Sequence, residues 1–337
     1  MDRVDWLEPV DFGTGSDAAL GGRLGMTILP GKHSPGQPAE RGRDLAADLD
    51  RLRDVHRSDV LLVLVEDAEL ERLGVGGLLE AAAARGIELL RHPIRDGAIP
   101  SDPAALRRTL DAVLARLRVG ASVVVACREG LGRTGLVVAC LLREVSSLDG
   151  AAAVSVVRRR RPGAVETAEQ ASFVAEWTWP ERPAAFHRPL VDRLRELADL
   201  EPVLASATEA DFGTWSTPPP KGDVLHLPQY AFGAAGEAFL AVVGRGGWVF
   251  PFDWGAWLAT PEGAALHGDG AAEAVVRATP LQLARLLTAI VRSDRFVEGS
   301  IAGAFGSGLL LAIARRAGAL ADAHASMGHV RGLRRCD

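Results

Sequence analysis

The stretch that decides the fold runs from Val123 to Gly135 and reads Val-Val-Val-Ala-Cys-Arg-Glu-Gly-Leu-Gly-Arg-Thr-Gly. Its first four residues are apolar and mostly β-branched, which favours a buried strand that ends near Ala126. Gly130 and Gly132 then permit a tight loop, and a helical pattern begins near Arg133. In such a loop the backbone N–H groups can turn inward and, together with a helix N-terminus, bind an oxyanion. The segment therefore predicts a phosphate-binding loop between a strand and a helix.

Three side chains of this segment have the chemistry of a nucleophilic phosphate site. Cys127 lies at the base of the loop, where the aligned dipoles stabilise a thiolate. Arg133 follows after five intervening residues and offers a planar fork to two phosphate oxygens, and the Thr134 hydroxyl can hydrogen-bond the sulfur as it leaves. The loop residues predicted to surround the phosphate are Arg128, Glu129, Gly130, Leu131 and Gly132.

Two other interpretations of the loop can be compared with this one. A buried structural cysteine in an ordinary strand–helix turn would explain Cys127 alone, but not the two glycines and the arginine that follow it. A nucleotide-binding phosphate loop requires Gly-Lys-Ser/Thr after its glycines, and that tripeptide is missing here. The pattern favours the cysteine-nucleophile site.

The first half of the chain alternates short apolar runs with helical patterns, which is typical of βαβ units. The predicted strands are Val60–Val65, Ile87–Leu90 and Ser122–Ala126, and the predicted helices are Arg43–Asp54, Ser101–Leu117, Arg133–Ser146, Asp149–Arg160 and Thr167–Trp177. This order predicts an α/β fold with a mainly parallel sheet flanked by helices. Ligands bind such sheets beyond the carboxyl ends of the strands.

A chain of 337 residues suggests two domains. The helical pattern stops at two prolines, Pro180 and Pro183, so the boundary is placed near residue 183, between a first domain of residues 1–183 and a second of residues 184–337. The second domain is expected to be mostly helical or α+β, with a long helical part from about Pro280 to Leu320. It contains no motif that indicates a reaction.

Composition excludes several classes of function. Hydrophobic residues make up 48% of the chain and the net charge is only -5, so no basic surface for nucleic acid or an anionic membrane is indicated. Cys127, Cys140 and Cys336 are too few and too far apart for a disulfide framework, and the histidines lack metal-ligand spacing. The N-terminus lacks the pattern of a signal peptide. These features predict a cytoplasmic protein without a metal or another cofactor.

Five segments of the first domain together resemble one known family. They are Arg23–Thr27 with Pro30–Lys32, Arg43–Leu45, His92–Gly97, the Cys127 loop, and Arg161–Thr167. Their order and spacing over residues 20–180 resemble the cysteine-dependent dual-specificity and tyrosine phosphatases, above all the kinase-associated branch related to the cyclin-dependent kinase inhibitor phosphatases. In the second domain, Gly246–Trp257 and Leu286–Ser300 resemble an uncharacterised bacterial domain family, from which no function can be transferred.

The phosphatase resemblance implies roles for further residues. It implies that Asp96 is the general acid, which later serves as base. The alternative acid is Asp102, although Ser-Asp-Pro at 101–103 is also typical of a helix start. Glu166 and Gln170 occupy positions where the family has glutamines that order the hydrolytic water, but Glu166 departs from that pattern and Gln170 also fits a capping box.

One departure from the family concerns the nucleophile itself. Ala126 stands where the family usually has a histidine that helps to stabilise the thiolate. The expected activity is hydrolysis of phosphate monoesters through a phosphocysteine, with a phosphorylated protein or a small phosphate ester as substrate. The alternatives are a weak or inactive phosphoprotein-binding module and a sulfur-transfer enzyme. The retained Asp96 and Arg133 argue against sulfur transfer. The sequence does not indicate an oligomeric state.

Overall fold

The structure is a computed structural model that describes residues 3–8, 11, 20–33, 43–146, 148–179, 188–217 and 228–333, with side chains as far as residue 326. The chain divides into two units, Met1–Pro183 and Ala184–Asp337. Residues 180–187, which include the boundary expected from the sequence, lie outside the described residues, and so does Cys336.

A mixed, mostly parallel sheet forms the centre of the first unit. In the described part of this unit five strands pair in the order β1-β2-β5-β3-β4. The pairs β2–β5, β5–β3 and β3–β4 are parallel, whereas the two-residue β1 is antiparallel to β2. The strands are β1 (Asp5–Trp6), β2 (Arg23–Ile28), β3 (Val60–Val63), β4 (Glu88–Arg91) and β5 (Ser122–Cys127).

Helices flank this sheet and bury its central strand. Every residue of β5 is buried, which explains why its sequence is an unbroken apolar run rather than an alternating one. The helices are α1 (Leu45–Asp50), which continues as a π-helical segment (Arg51–Val55), α2 (Asp67–Arg72), α3 (Leu78–Ala83), α4 (Pro103–Arg118), α5 (Gly132–Val145), α6 (Gly150–Arg160) and α7 (Ala168–Glu176). The predicted α/β class, with a mainly parallel sheet and flanking helices, is confirmed.

Strand register places the ends of neighbouring strands at one edge of the sheet. Ile28 at the end of β2 pairs with Cys127 at the end of β5, and Val63 at the end of β3 pairs with Ala126. The segments that follow β2, β3, β4 and β5 therefore leave the sheet at the same edge. This edge is where a ligand is expected in a parallel sheet.

The second unit is largely helical. Its described helices are α8 (Leu190–Ala198), α9 (Glu201–Ser206), α10 (Glu209–Phe212), α11 (Ala234–Arg245), α12 (Trp254–Leu258), α13 (Pro261–His267), α14 (Ala271–Val275), α15 (Pro280–Ser293), α16 (Ser300–Gly306) and α17 (Leu309–Leu333). Strands β6 (Gly213–Ser216) and β7 (Gln229–Phe232) pair antiparallel. Trp248 is fully buried and Trp257 nearly so, so both contribute to the core of this unit.

The part of the chain predicted to be helical, from about Pro280 to Leu320, is helical in the structure, and it is interrupted twice. Gly299 and Gly308 have φ values of +92° and +75°, which no residue can adopt inside a right-handed helix. The result is three helices, α15, α16 and α17. Among the described residues no single helix is long and apolar enough to cross a membrane, whereas Ser300–Gly306 and Leu309–Ser326, bent by 73°, pass that test together by length and composition.

Candidate active site

The loop from Arg128 to Leu131 connects β5 to α5 and surrounds the sulfur-bearing residue. Cys127 is the last residue of β5 and is 3% exposed. Gly130 has a φ of +68°, and a Cβ atom added there would lie 2.2 Å from the backbone oxygen of Thr27. A side chain at position 130 would therefore collide with β2. This glycine lets the loop fold tightly against the sheet edge above Cys127.

The backbone N–H groups of this loop are free to bind an anion. Among the described residues, none of the six N–H groups from Arg128 to Arg133 donates a hydrogen bond to a protein acceptor. Buried N–H groups are nearly always paired with protein, water or ligand. Gly130, Gly132 and Arg133 are buried here, and α5 contributes the partial positive charge of its N-terminus. The loop thus has the arrangement of an oxyanion cradle.

A buried carboxylate fixes the guanidinium of Arg133. Nη1 and Nη2 donate to Oε2 and Oε1 of Glu69 over 2.7 and 3.1 Å, and both side chains are buried. Nη1 also donates to the Ile94 carbonyl over 3.0 Å, and Nη2 lies 2.9 Å from Oδ1 of Asp96. Because Glu69 takes the end of the fork, the side edge formed by Nε and Nη2 remains for a ligand. Within the described residues Asp96 alone occupies that edge, at Nη2.

Arg133 keeps its charge despite its burial. Burial lowers the pKa of Arg133, but the Glu69 hydrogen bonds and the negative charges of Cys127, Glu69 and Asp96 outweigh this effect and raise its pKa above the ordinary value. The guanidinium therefore supplies a permanent positive charge beneath the loop. A planar, charged fork is suited to two oxygens of a phosphate.

A chain of ion pairs continues from Asp96 around the rim of the loop. Oδ2 of Asp96 lies 3.7 Å from Nη1 of Arg128, whose Nε lies 3.6 Å from Oε1 of Glu129. The same Glu129 oxygen lies 2.5 Å from Nζ of Lys32, which follows β2. Arg161 donates to the Glu129 carbonyl over 2.8 Å. The side chains of Arg128 and Glu129 are thus tied to the rim, and their backbones supply the N–H groups.

The two candidate acids occupy different environments. Asp96 is mostly exposed and lies against Arg133, and the following Gly97 has a φ of +72° with open space around it. Asp102 instead caps α4, where its Oδ1 accepts from the N–H groups of Ala104 and Ala105. The Ala105 hydrogen bond is the largest of the effects that lower the pKa of Asp102. Asp102 is thus engaged as a helix cap, whereas Asp96 contacts the Arg133 guanidinium, so the geometry favours Asp96 as the general acid.

His92 lies between β4 and residues 94–98, the segment that carries Asp96 and is called the acid loop below. Its Nδ1 lies 3.1 Å from the hydroxyl oxygen of Thr109 on α4. Burial lowers the pKa of His92, Asp102 opposes that effect and Arg108 adds to it. The ring is therefore neutral at physiological pH, and it connects β4 to α4.

Glu166 and Gln170 lie beside the start of α5. A Cβ atom added at Gly132 would lie 2.3 Å from Oε2 of Glu166 and 3.1 Å from both amide atoms of Gln170. Gln170 forms the capping box with Thr167, its Oε1 also accepts from the Glu166 N–H, and its Nε2 donates to the Ala98 carbonyl over 3.3 Å. The amide of Gln170 thus joins α7 to the acid loop, whereas the Glu166 side chain is exposed.

Arginines at the end of α6 form contacts with other segments of the first unit. Arg158 donates to the carbonyls of Ala164 and Val165 over 3.0 and 2.8 Å. Arg160 and Arg161 pair with Asp11 and Asp5, respectively. Arg158 thus fixes the turn that follows α6. Arg160 and Arg161 connect the end of α6 to the N-terminal segment that contains Asp5 and Asp11.

Other predicted residues have simpler surroundings. The Thr134 hydroxyl is buried and has no hydrogen-bond partner among the described residues. Cys140 is fully buried in α5, and burial raises the pKa of its thiol, which makes it an unreactive core residue. No group of three or more His, Cys, Asp or Glu side chains in the described segments could hold a metal ion.

Sequence reasoning missed Glu69 and Lys32 as site residues. Glu69 is one of three acids in Glu66–Glu69, a stretch that follows β3, and the pattern does not tell which of them faces the sheet edge. Lys32 belongs to a segment quoted for the resemblance, yet nothing near it in the sequence indicates Glu129 as its partner. In both cases the contact joins segments far apart in the chain.

Known proteins match the two halves of the chain separately. Residues 41–146 match the family described as "Polymorphic toxin system, DSP-PTPase phosphatase", and residues 190–323 match a family of unknown function, DUF6508. Cyclin-dependent kinase inhibitor 3 from Rattus norvegicus and from Homo sapiens is in each case 30% identical over 156 residues, which cover 46% of this chain and 71% of the relative.

Solved structures align with the same half. A kinase-associated phosphatase whose catalytic-site cysteine is replaced by serine is 26% identical, with a TM-score of 0.46 over 52% of this chain and 92% of that chain. Tk-PTP in its active form is 36% identical, with a TM-score of 0.37 over 46% of this chain and 91% of that chain.

Proposed function

The chain belongs, through its first half, to the cysteine-dependent dual-specificity and tyrosine phosphatase family of cyclin-dependent kinase inhibitor 3, and on this premise we propose that it hydrolyses phosphate monoesters through a phosphocysteine at Cys127. The observation that carries the proposal is the loop itself. Six consecutive backbone N–H groups, which have no protein partner in the described part of the chain, follow the cysteine directly, and the Arg133 fork lies beside them.

The first step transfers the phosphoryl group to sulfur. The Cys127 thiolate attacks phosphorus in line, and the loop N–H groups and Arg133 stabilise the equatorial oxygens. A phosphate that enters the loop displaces Asp96 from the Nε–Nη2 side of Arg133 and leaves the Glu69 pair in place, because Glu69 binds the end formed by Nη1 and Nη2. Asp96 is then next to the substrate and free to protonate the departing oxygen.

The second step releases phosphate and regenerates the thiolate. The buried Thr134 hydroxyl, which lacks a partner in the described residues, can donate to the Cys127 sulfur as negative charge returns to it. This hydrogen bond stabilises the sulfur as a leaving group. It therefore offsets part of the thiolate stabilisation that is lost because Ala126 stands where the family usually has a histidine. We propose phosphotyrosine or phosphoserine/threonine proteins as the substrate class, since a phosphorylated substrate follows from the family.

The experiment that tests this function is hydrolysis of p-nitrophenyl phosphate in the presence of EDTA by wild type and by the Cys127→Ser variant. We expect turnover that resists EDTA and disappears in the variant. Absent turnover combined with retained binding of inorganic phosphate would instead support the phosphoprotein-binding module. Turnover that survives in Cys127→Ser would exclude cysteine as the nucleophile.

A further inference from the structure

The second unit contains a partly open cavity of about 500 Å³ beside the bend between α16 and α17. Residues of α14 and its C-terminal end form one side of the cavity, and the first half of α17 forms the other. Gly308, at the bend, lines the cavity, and a Cβ atom added there would have nothing within 4 Å. The volume lies within the range of small-molecule sites, about 300–1,000 Å³.

Apolar side chains form most of the cavity wall. They are Ala272 and Val276 on one side and Leu311, Ala312 and Ala319 on the other. The three alanines leave space that larger side chains would fill. Val276 is 62% exposed, so a ligand that covered it would remove a large apolar side chain from water. The cavity is therefore suited to a ligand with an apolar body.

One guanidinium on the wall has no acidic partner. Arg316 lines the cavity and is partly buried, and its Nε donates to the Ala278 carbonyl over 2.7 Å. In the segments that the structure describes, its Nη1 and Nη2 donate to no protein acceptor and no carboxylate lies within ion-pair distance. Burial lowers the pKa of Arg316 below its ordinary value, and no neighbouring acid opposes this effect. The free end of this planar fork matches the two oxygens of a carboxylate.

The other charged residues of the wall restrict the charge of a ligand. Arg315 is already paired, because its Nε lies 2.9 Å from Oε1 of Glu201. Glu273 also lines the cavity and is exposed to solvent, and it forms no ion pair with either arginine in the described part of the chain. A single unpaired cation near a solvated carboxylate favours a ligand with one negative charge over a ligand with two.

We propose that this cavity binds an alkyl carboxylate, a small amphipathic molecule with one negative charge. The carboxylate lies on the free end of the Arg316 guanidinium, and the alkyl chain lies against Val276 and Leu311. The site belongs to the second unit and does not depend on the proposed phosphatase function. Binding requires no covalent step.

The test is isothermal titration calorimetry of the full chain with hexanoate, octanoate and decanoate below their micelle concentrations. Excess inorganic phosphate is present in a parallel series, so that the loop after β5 is occupied. We expect saturable binding in both series. The affinity should rise by roughly fourfold for each methylene group that enters the cavity, the effect of burying one such group.

Two substitutions of arginine separate the role of the charge from general effects. Arg316→Met keeps an apolar stem and removes the charge, and it should weaken octanoate binding by about 10–100-fold, the effect of losing a hydrogen bond to a charged group. The matched control is Arg295→Met, which changes an exposed arginine of the same unit that does not line the cavity. The control should bind octanoate as wild type does.

A third variant fills the cavity and keeps the charge. Ala312→Phe should abolish octanoate binding, and thermal unfolding checks that each variant is folded. Absence of saturable octanoate binding by wild type, or equal affinity of wild type and Arg316→Met, would overturn the proposal. Equal binding of octanoate and neutral 1-octanol would overturn it as well. Displacement of octanoate by inorganic phosphate would place the carboxylate in the loop after β5 and would also contradict the proposed site.

Discussion

Glu69 shows how one buried acid sets the geometry of the phosphate site. It occupies one end of the Arg133 fork and directs the other edge toward the loop. Arg133 is almost fully buried, so its charge depends on this partner, on the Ile94 carbonyl and on Asp96. A charge of this kind is costly to leave unpaired, which makes Glu69 a positioning residue for phosphate binding.

Replacing Glu69 should therefore impair both folding and phosphate binding. We expect Glu69→Gln to destabilise the first unit by at most about 3–5 kcal/mol, the range for breaking a buried ion pair, because the remaining partners of Arg133 offset part of the loss. The value of kcat/KM should fall as well. The measurements are urea unfolding and p-nitrophenyl phosphate kinetics. The control is Glu71→Gln, an exposed acid on the same helix, and equal behaviour of the two variants would contradict the role of Glu69.

The role of Asp96 predicts an effect that depends on the leaving group. Asp96→Ala should lower kcat by roughly 10²–10⁴ on phenyl phosphate, whose leaving group needs a proton, and much less on p-nitrophenyl phosphate. Asp102→Ala is the matched control, because it removes a helix cap rather than the acid. The Asp102→Ala variant should have lower thermal stability than wild type, and its kcat should depend on the leaving group as that of wild type does. Undiminished kcat of Asp96→Ala on phenyl phosphate would exclude Asp96 as the acid.

At the scale of elements, the site depends on how closely the loop after β5 approaches β2. Gly130 makes this approach possible, because a Cβ atom there would meet the Thr27 carbonyl oxygen at 2.2 Å. Gly86 offers a comparison, since its φ of +67° is almost the same and nothing lies within 4 Å of an added Cβ atom. The two glycines share the backbone strain and differ in the collision.

Substituting each glycine by alanine should distinguish these two effects. Both variants should lose roughly 1–2 kcal/mol of stability through the left-handed conformation. Only Gly130→Ala should also lower kcat/KM, by about 10²-fold, because the displaced loop misplaces the N–H groups by a fraction of an ångström or more. Steady-state kinetics and urea unfolding measure the two effects. Comparable activity of the two variants would mean that the close contact with Thr27 is unimportant.

Much of this arrangement could be predicted from sequence because it is local. The β5 strand, the loop and α5 follow from an apolar run, two glycines and a helical pattern within 24 residues of chain, Ser122 to Val145. The helix cap at Asp102 and the capping box at Thr167 are likewise local signals, and both are present. Local patterns suffice where the hydrogen bonds that decide a structure join residues close in the chain.

The remainder depends on contacts between distant segments. β2 was not predicted as a strand, since Gly25 interrupts its apolar run, and the structure shows why a glycine is there: an added Cβ atom would meet Val4 and Trp6. The Glu69–Arg133 pair spans 64 residues, and the turn at Val165, where φ is +57°, depends on Arg158. The breaks at Gly299 and Gly308 were overlooked because glycine is tolerated within helices as well as at their ends.

At the scale of the whole molecule, the stability of the first unit depends on pH through two histidines, His56 and His92, whose pKa values are lowered in the folded state. Burial lowers the pKa of His92, and burial together with Arg51 and Arg23 lowers the pKa of His56. In the unfolded chain both return to the ordinary value of 6.5. The unfolded state therefore binds more protons below that pH, and the stability contributed by the neutral rings is present above it and lost as the pH falls.

This linkage predicts that the first unit loses stability on acidification from pH 7.5 to pH 5.5. Hydrogen exchange of the β5 amides, which report opening of the sheet, is the measurement. After correction for the pH dependence of the intrinsic exchange rate, we expect these amides to exchange faster as the pH falls. The increase in exchange rate should be smaller in His92→Gln and in His56→Gln. A slope that is the same in wild type and in both variants would show that other groups control the pH dependence.

The central claim is that Cys127 carries the phosphoryl group during turnover. The measurement that tests it most directly is acid quenching of the protein during hydrolysis of p-nitrophenyl phosphate, followed by mass spectrometry of its peptides. We predict a phosphorylated peptide that contains Cys127 in wild type and none in an Arg133→Met variant that cannot hold the phosphate. Turnover without any phosphorylated Cys127, or with phosphate on another residue, would contradict it.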